Sequence, residues 1–253
     1  MNVPEDNPEP VPDGLPDHNK ESVSPSSLTP VLSIIIPTLN AARALPRVLE
    51  SLAGEKLDRE IIVADGGSTD GTQRIAEAHG LRLVVGPSGR GQQLSAGAQV
   101  ARGEWFLFLH ADSALQRGWG AIVRGFTGNT ENSYRAGYFQ LLLDDTTAAA
   151  RRIENLANWR ARTLGLPYGD QGLLISRAFY NHLDGYASIP LMEDVDIVQR
   201  IGRRRLIALP SAVTTSARRY QRDGFWLRPI WNLICLGFYF AGLPPRLIDR
   251  LYR

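Results

Sequence analysis

The sequence predicts an α/β fold, a Rossmann-like, mostly parallel sheet flanked by helices and closed by a C-terminal apolar helix. Two observations predict it. Short apolar, β-branched runs alternate with helical stretches from residue 32 to residue 109. Each run ends in polar or glycine-rich residues, where ligands bind in open α/β sheets.

Residues 1–30 stand apart. They hold seven prolines, six acids, one base and no aromatic residue. Such a segment buries too little apolar area to offset its ordering entropy, so a disordered acidic tail is expected. It lacks the basic start and apolar stretch of a signal peptide. With a single cysteine, the expected location is cytoplasmic, with peripheral contact at the inner face of the membrane as a variant.

From residue 32 the pattern changes. Residues 32–37 are an apolar run ending in proline, as a buried parallel strand reads. A helix follows over about residues 42–53, then a strand over 60–64. A helix over 72–79 is closed by Gly80. Residues 81–85 form the third strand. A glycine-rich loop, 86–91, leads into a helix over 92–101, and 105–109 is the fourth strand. In the second half, 138–143 reads as a strand. Residues 147–164 read as an amphipathic helix with Ile153, Leu156, Ala157, Arg160 and Leu164 on one stripe. Residues 193–201 read as a helix.

The last segment is unusual. Between Arg228 and Arg246 stand 17 uncharged residues, among them Trp231, Phe238, Tyr239 and Phe240. The run is short for a span, contains Asn232 and is bracketed by prolines. It reads as a core or dimer helix, or as an interfacial membrane helix over 224–245. Cys235 within it reads as an inert buried thiol.

Composition excludes several classes. With 253 residues, 43% hydrophobic and 21% charged, a packed core is expected and fibrous or wholly disordered chains are not. One cysteine leaves no disulfide framework. His18, His79, His110 and His182 lack metal-ligand spacing, and His79 and His182 read as surface or capping groups. There is no P-loop, and no G-x-G-x-x-G after the first strand. The net charge of +2 divides into −5 over residues 1–30 and +7 beyond, nearly all of it arginine. Those arginines are spread along the chain, so no nucleic-acid partner is expected.

The strand ends carry the chemistry. Pro37-Thr38-Leu39-Asn40 follows the first strand and Asp65-Gly66-Gly67-Ser68-Thr69-Asp70 the second. Gly89-Arg90 follows the third and His110-Ala111-Asp112 the fourth. Each piece alone has a plainer reading. Asp65-Gly66-Gly67 makes a turn, and Thr38, Asn40 and Asp112 are fit to cap helices. Their joint placement at successive strand ends favours a site.

Together these motifs resemble the inverting family 2 glycosyltransferases of GT-A fold. The resemblance rests on 33–40, 65–72 and 106–112, then on Gly169-Asp170-Gln171-Gly172 and Met192-Glu193-Asp194-Val195-Asp196, in that order. The His-Ala-Asp form and the Ser216-Ala217-Arg218-Arg219 stretch resemble a subgroup often labelled arsenosugar- or selenium-associated. The resemblance implies a nucleotide-sugar-binding half over 31–115, an acceptor-binding and catalytic half over 116–222, and the apolar segment over 223–253. It implies that Asp65 accepts from the uracil ring N–H, with Pro37, Thr38, Asn40, Gly66 and Gly67 around the base. Arg90, Gln93, His110 and Ala111 would complete the donor site. Asp112 would hold a divalent ion, Mg²⁺ or Mn²⁺, against the diphosphate. His110 stands where the commoner pattern has a further aspartate, and Ala41 where many relatives have glutamate. Asp194 would be the general base, with Glu193 beside it, since adjacent carboxylates push one pKa upward. An acidic first helical turn is the plainer reading of that pair. Gly169, Asp170 and Gln171 would shape the acceptor side, and Arg218 and Arg219 would face the diphosphate.

The expected reaction is inverting transfer of a sugar from a UDP-sugar to a small-molecule or lipid-linked acceptor. Two other readings stay open. A sugar-phosphate nucleotidylyltransferase has a related sheet, but its glycine-rich arginine loop after the first strand is replaced here by Pro37-Thr38-Leu39-Asn40. A silent nucleotide-sugar-binding module keeps the fold without the chemistry.

Overall fold

The computed structural model describes Met1 and residues 31–252. The tail expected over residues 1–30 lies, apart from Met1, outside the described residues.

Four parallel-reading segments fold as expected: β1 (Leu32–Thr38), β2 (Arg59–Asp65), β3 (Arg82–Val85) and β4 (Trp105–Phe108). Between them run α1 (Leu45–Leu52), α2 (Thr72–Ala78) and α3 (Arg90–Val100). The second half adds β5 (Ser113–Leu115), α4 (Trp119–Thr127), β6 (Ala136–Leu143), α5 (Ala148–Leu164), β7 (Leu173–Ser176) and α6 (Arg177–His182). The chain continues through α7 (Glu193–Ile201), β8 (Leu206–Thr215), α8 (Arg218–Asp223), α9 (Leu227–Phe240) and α10 (Pro245–Tyr252).

One eight-stranded sheet, ordered β3-β2-β1-β4-β7-β6-β8-β5, runs through both halves. The pairs β1–β2, β2–β3, β1–β4 and β6–β8 are parallel; β4–β7, β6–β7 and β5–β8 are antiparallel. The switch at β4–β7 places the ends of β1, β2 and β4 beside the loops before β7 and α7.

Strand alternation builds a core on each face of the sheet. Leu32, Ile34 and Ile36 of β1 pack with Leu107 and Trp119 on one face. Ile35 packs with Phe106, Phe108 and Val195 on the other. These side chains are fully buried or nearly so, each contributing about 1.5–3 kcal/mol of transfer free energy. Helix ends follow local chemistry. Thr147 caps α5 by accepting from the Ala150 amide, and Gly165 closes it at φ +66°.

The apolar C-terminal segment is two helices, broken at Pro244–Pro245, with Pro245 in the first turn of α10 where it costs no hydrogen bond. In α9 only Cys235 and Leu236 are buried. No helix among the described residues is long and apolar enough to cross a membrane. On α5 the buried stripe is Ala150, Ile153, Glu154, Ala157 and Ala161. Leu156 and Leu164, expected on that stripe, point outward instead. Small alanines fill the narrow gap to the sheet and leave the larger side chains outside.

Candidate active site

The ends of β1 and β2 are tied together by one buried carboxylate. Asp65 Oδ2 accepts from Thr38 Oγ1 at 2.8 Å and from Ser68 Oγ at 2.5 Å. Asp65 Oδ1 accepts from the Gly67 amide, the Ser68 amide and Gln73 Nε2 at 2.7–3.0 Å. Burial alone would raise its pKa, but these donors prevail and lower it. Five donors use up the acceptor capacity of a carboxylate, and the side chain is wholly buried. In this structure the Asp65 carboxylate holds the loop between β2 and α2 against the end of β1. Gln93 is a second tie, with Nε2 donating to the Thr38 and Ala64 carbonyls at 2.6 and 2.9 Å. Asn40 Oδ1 accepts from the Thr69 amide at 2.9 Å, so it braces the neighbouring loop rather than capping α1. Pro37, Gly66 and Gly67 complete this wall. A Cβ on Gly66 would meet Gln93 at 3.1 Å, so backbone and side chain are in close contact there.

The catalytic candidates meet in a cavity of about 310 Å³. Its polar end is lined by Arg90, His110, Asp112, Asp170, Glu193, Asp194 and Arg219. Its other end is apolar, formed by residues of α5 and α9 such as Leu156, Trp159, Leu233 and Leu236. Pro37, Asn40 and Asp65 do not line it, so the donor-side loops and this cavity are adjoining parts, joined through Arg90 and His110.

Glu193 and Asp194 open α7, and Met192 before them takes the left-handed region at φ +67°. That conformation is strained for a non-glycine residue. It presents the two carboxylates differently. Glu193 is buried, with Arg90 Nη1 3.2 Å from Oε1. The approach is not aligned for a hydrogen bond, so Glu193 Oε1 has no donor. Burial, partly offset by Arg90 and reinforced by Asp194, raises the Glu193 pKa to about 7. Asp194 is half-buried at the cavity. Its Oδ2 accepts from the Gly169 amide at 2.9 Å and its Oδ1 from the Val195 amide at 2.8 Å. The acidic helix start and the site are thus the same feature.

His110 sits between Arg90 and Gly169. Burial first, then Arg90 and Arg219, hold its pKa well below 6.5, so the ring is neutral at neutral pH. Arg90 Nη1 lies 3.5 Å from Nε2. A guanidinium only donates, which assigns the ring hydrogen to Nδ1. Asp112 caps no helix, since α4 begins seven residues later behind Gly118. Asp170 lies in the loop before β7. Burial, with further contributions from Asp194 and Asp112 against that of Arg160, raises its pKa to about 6. Its Oδ1 is buried without a donor.

Gln171 and Arg218 also fall outside the cavity lining. Gln171 is wholly buried, with Nε2 donating to the Phe139 carbonyl at 3.1 Å, so it anchors the loop. Arg218 is exposed on α8 and is not part of the lining; Arg219 is. Sequence reading missed Arg160, Tyr168 and Asn232. Arg160 stacks on the Tyr168 ring at 3.3 Å, and Asn232 Oδ1 is buried beside the cavity without a donor. The only signal for Asn232 was a lone amide in an apolar helix.

Among the described residues no group of three or more His, Cys, Asp or Glu side chains is placed to hold a metal. An all-protein cage therefore does not fit. Mg²⁺ commonly takes one or two carboxylates and completes its shell with substrate phosphates and water. Asp112, with the donor-free Asp170 Oδ1 coupled to it, fits that sparing arrangement.

Fold and site together define an α/β protein with polar, glycine-rich loops at the ends of β1 and β2 and a carboxylate-lined cavity beside them. Residues 33–126 match the model of glycosyl transferase family 2. A PGL/p-HBAD biosynthesis glycosyltransferase of Mycobacterium tuberculosis is 41% identical over 113 residues. That match covers 41% of this chain and 44% of the relative, so the chain is matched over less than half that relative's length. Among solved structures, S. aureus TarS superposes with a TM-score of 0.60 at 18% identity, over 87% of this chain and 42% of TarS. TarS 1–349 in complex with UDP-GlcNAc gives 0.56 at 19% identity, over 73% and 58%. The mannosyltransferase PcManGT from Pyrobaculum calidifontis, in complex with GDP-Man and Mn²⁺, gives 0.54 at 20% identity, over 75% and 57%. The chain is thus similar to family 2 glycosyltransferases in sequence over its first sheet strands, and to GT-A-type neighbours in fold.

Proposed function

We propose that the protein is an inverting hexosyltransferase that moves a sugar from a nucleoside-diphosphate sugar, UDP-linked, to an acceptor hydroxyl. One observation carries the reading: Asp194, oriented by the Gly169 amide, opens on the same cavity as Asp112. Asp194 takes the acceptor proton while the acceptor oxygen bonds to the anomeric carbon from the face opposite the leaving group. The bond from that carbon to the diphosphate breaks, and the diphosphate keeps the electron pair. A divalent ion on Asp112, Mg²⁺ or Mn²⁺, would supply charge neutralisation for the departing diphosphate. Arg90 and Arg219 hold positive charge at the same end.

Glu193 keeps Arg90 in place rather than meeting substrate. Neutral His110 offers the donor a lone pair or an N–H without adding charge. The apolar end of the cavity takes the body of the acceptor. We assign the His110-Ala111-Asp112 form to the arsenosugar- or selenium-associated subgroup on its sequence form alone. The neighbours' complexes, one with UDP-GlcNAc and one with GDP-Man and Mn²⁺, support a nucleotide-sugar donor.

Calorimetric titration of UDP with and without Mn²⁺, against GDP, tests the donor assignment. Mn²⁺-dependent UDP binding at least tenfold tighter than GDP is expected. Equal binding of both, or of neither, would remove the UDP assignment.

A further inference from the structure

Three of the five tryptophans are exposed, and all three lie on α5 or α9. Trp159 lies on α5, Trp226 at the start of α9 and Trp231 within it. Trp105 and Trp119 are in the core. The Arg152 guanidinium sits 5.2 Å above the Trp226 ring and ties α5 to α9. On the same two helices Leu156, Leu164, Leu227, Ile230, Leu233 and Ile234 are exposed as well, Leu227 to 71%. Monomeric soluble proteins rarely leave so many large apolar side chains together.

The patch is continuous with the candidate active site. Leu156, Trp159, Leu164 and Leu233 are exposed and also line the cavity. One apolar wall therefore runs from the carboxylates out to the surface.

Charge selects the occupant. Helices α5, α8, α9 and α10 carry ten arginines against only Glu154, Asp223 and Asp249. A second copy using the same patch would set this positive field against itself. A bilayer with anionic headgroups offers an apolar interior and negative charge at once. Arginine stems and tryptophan rings suit that boundary, with apolar bodies inward and polar heads in the headgroups.

We propose that the α5–α9 face docks on an anionic lipid surface. None of the catalytic assignments is needed for this. Under the transferase reading, on which this one step rests, docking turns the cavity mouth toward the lipid and makes the acceptor an amphiphile.

The test uses the full chain with vesicles of phosphatidylglycerol and phosphatidylcholine, some with brominated acyl chains, against phosphatidylcholine alone. Cosedimentation with the anionic vesicles is expected, weakening with salt, together with bromolipid quenching of tryptophan fluorescence. Leu227→Asp with Ile230→Asp, both exposed and outside the cavity lining, should reduce partitioning at least tenfold. Absence of partitioning or quenching would overturn the proposal. So would concentration-dependent dimerisation in sedimentation velocity that the same variants abolish. UDP titration of the same samples separates the two readings: a chain that binds UDP but not vesicles loses the docking and keeps the donor site.

Discussion

The Gly169 amide and the Asp194 carboxylate meet at 2.9 Å although 25 residues separate them in the chain. That bond joins the loop before β7 to the first turn of α7. It also fixes the direction in which Asp194 faces the cavity. A Cβ at position 169 would lie 2.6 Å from His110 Nε2 and 3.4 Å from Asp194 Oδ2. Only glycine lets backbone, imidazole and carboxylate approach this closely.

Gly169→Ala should therefore shift His110 and Asp194 without unfolding the protein. Misplacing catalytic groups by about 1 Å costs about 10²-fold in rate. The expected outcome is a loss of that order in transfer from UDP-sugar, with far-UV circular dichroism unchanged. Wild-type turnover in the variant would remove Gly169 from the positioning of Asp194.

Glu193 gives a pH signature. Its folded pKa, about 7, lies above its unfolded value of 4.5. Stability linked to this group is thus fully present below about pH 4.5 and is lost as pH rises toward 7. Glu193→Gln mimics the protonated form. Denaturant titrations of both proteins at pH 5 and pH 8 should show the variant gaining on wild type at pH 8. A stability difference independent of pH would show that Glu193 is ionised throughout.

Asp65 behaves in the opposite sense. Its folded pKa is lowered below the usual 3.8 by its donors. Its contribution is present above the unfolded pKa and is lost as pH falls through the folded one. Asp65→Ala strands several buried donors, each costing about 1–3 kcal/mol. Thermal or denaturant unfolding at pH 7 should show a loss of about 3 kcal/mol or more. A loss below about 1 kcal/mol would show that Asp65 does not hold the loop.

The N-terminal half of the fold was legible because β1, β2 and β4 are buried on both faces and read as uninterrupted apolar runs. The strand β8 was not. Pro210 interrupts it, at a register shift opposite Tyr138 and Gln140 of β6. Helix α4 was hidden by Gly120 and Gly125, which weaken a helical pattern. A Cβ at Gly120 would lie 2.7 Å from Glu55 Oε2. At the site, Asp112, Glu193 and Asp194, singled out by their motifs, line the cavity. The loop-holding bonds of Asp65, Gln93 and Gln171 were not legible, because a motif names a residue type without saying whether its polar atoms reach the backbone. The apolar half of the cavity was invisible for another reason. It forms where α5 meets α9, about 70 residues apart in sequence.

The proposed role of Asp194, removal of the acceptor proton in a glycosyl transfer, is open to a direct test. Asp194→Asn keeps the shape and its backbone contacts but not the basicity. The measurement is UDP release and glycoside formation from a UDP-sugar, in wild type and variant, beside UDP affinity by calorimetry. Turnover should fall by about 10²–10⁴-fold with UDP affinity unchanged. Undiminished turnover in the variant would contradict it.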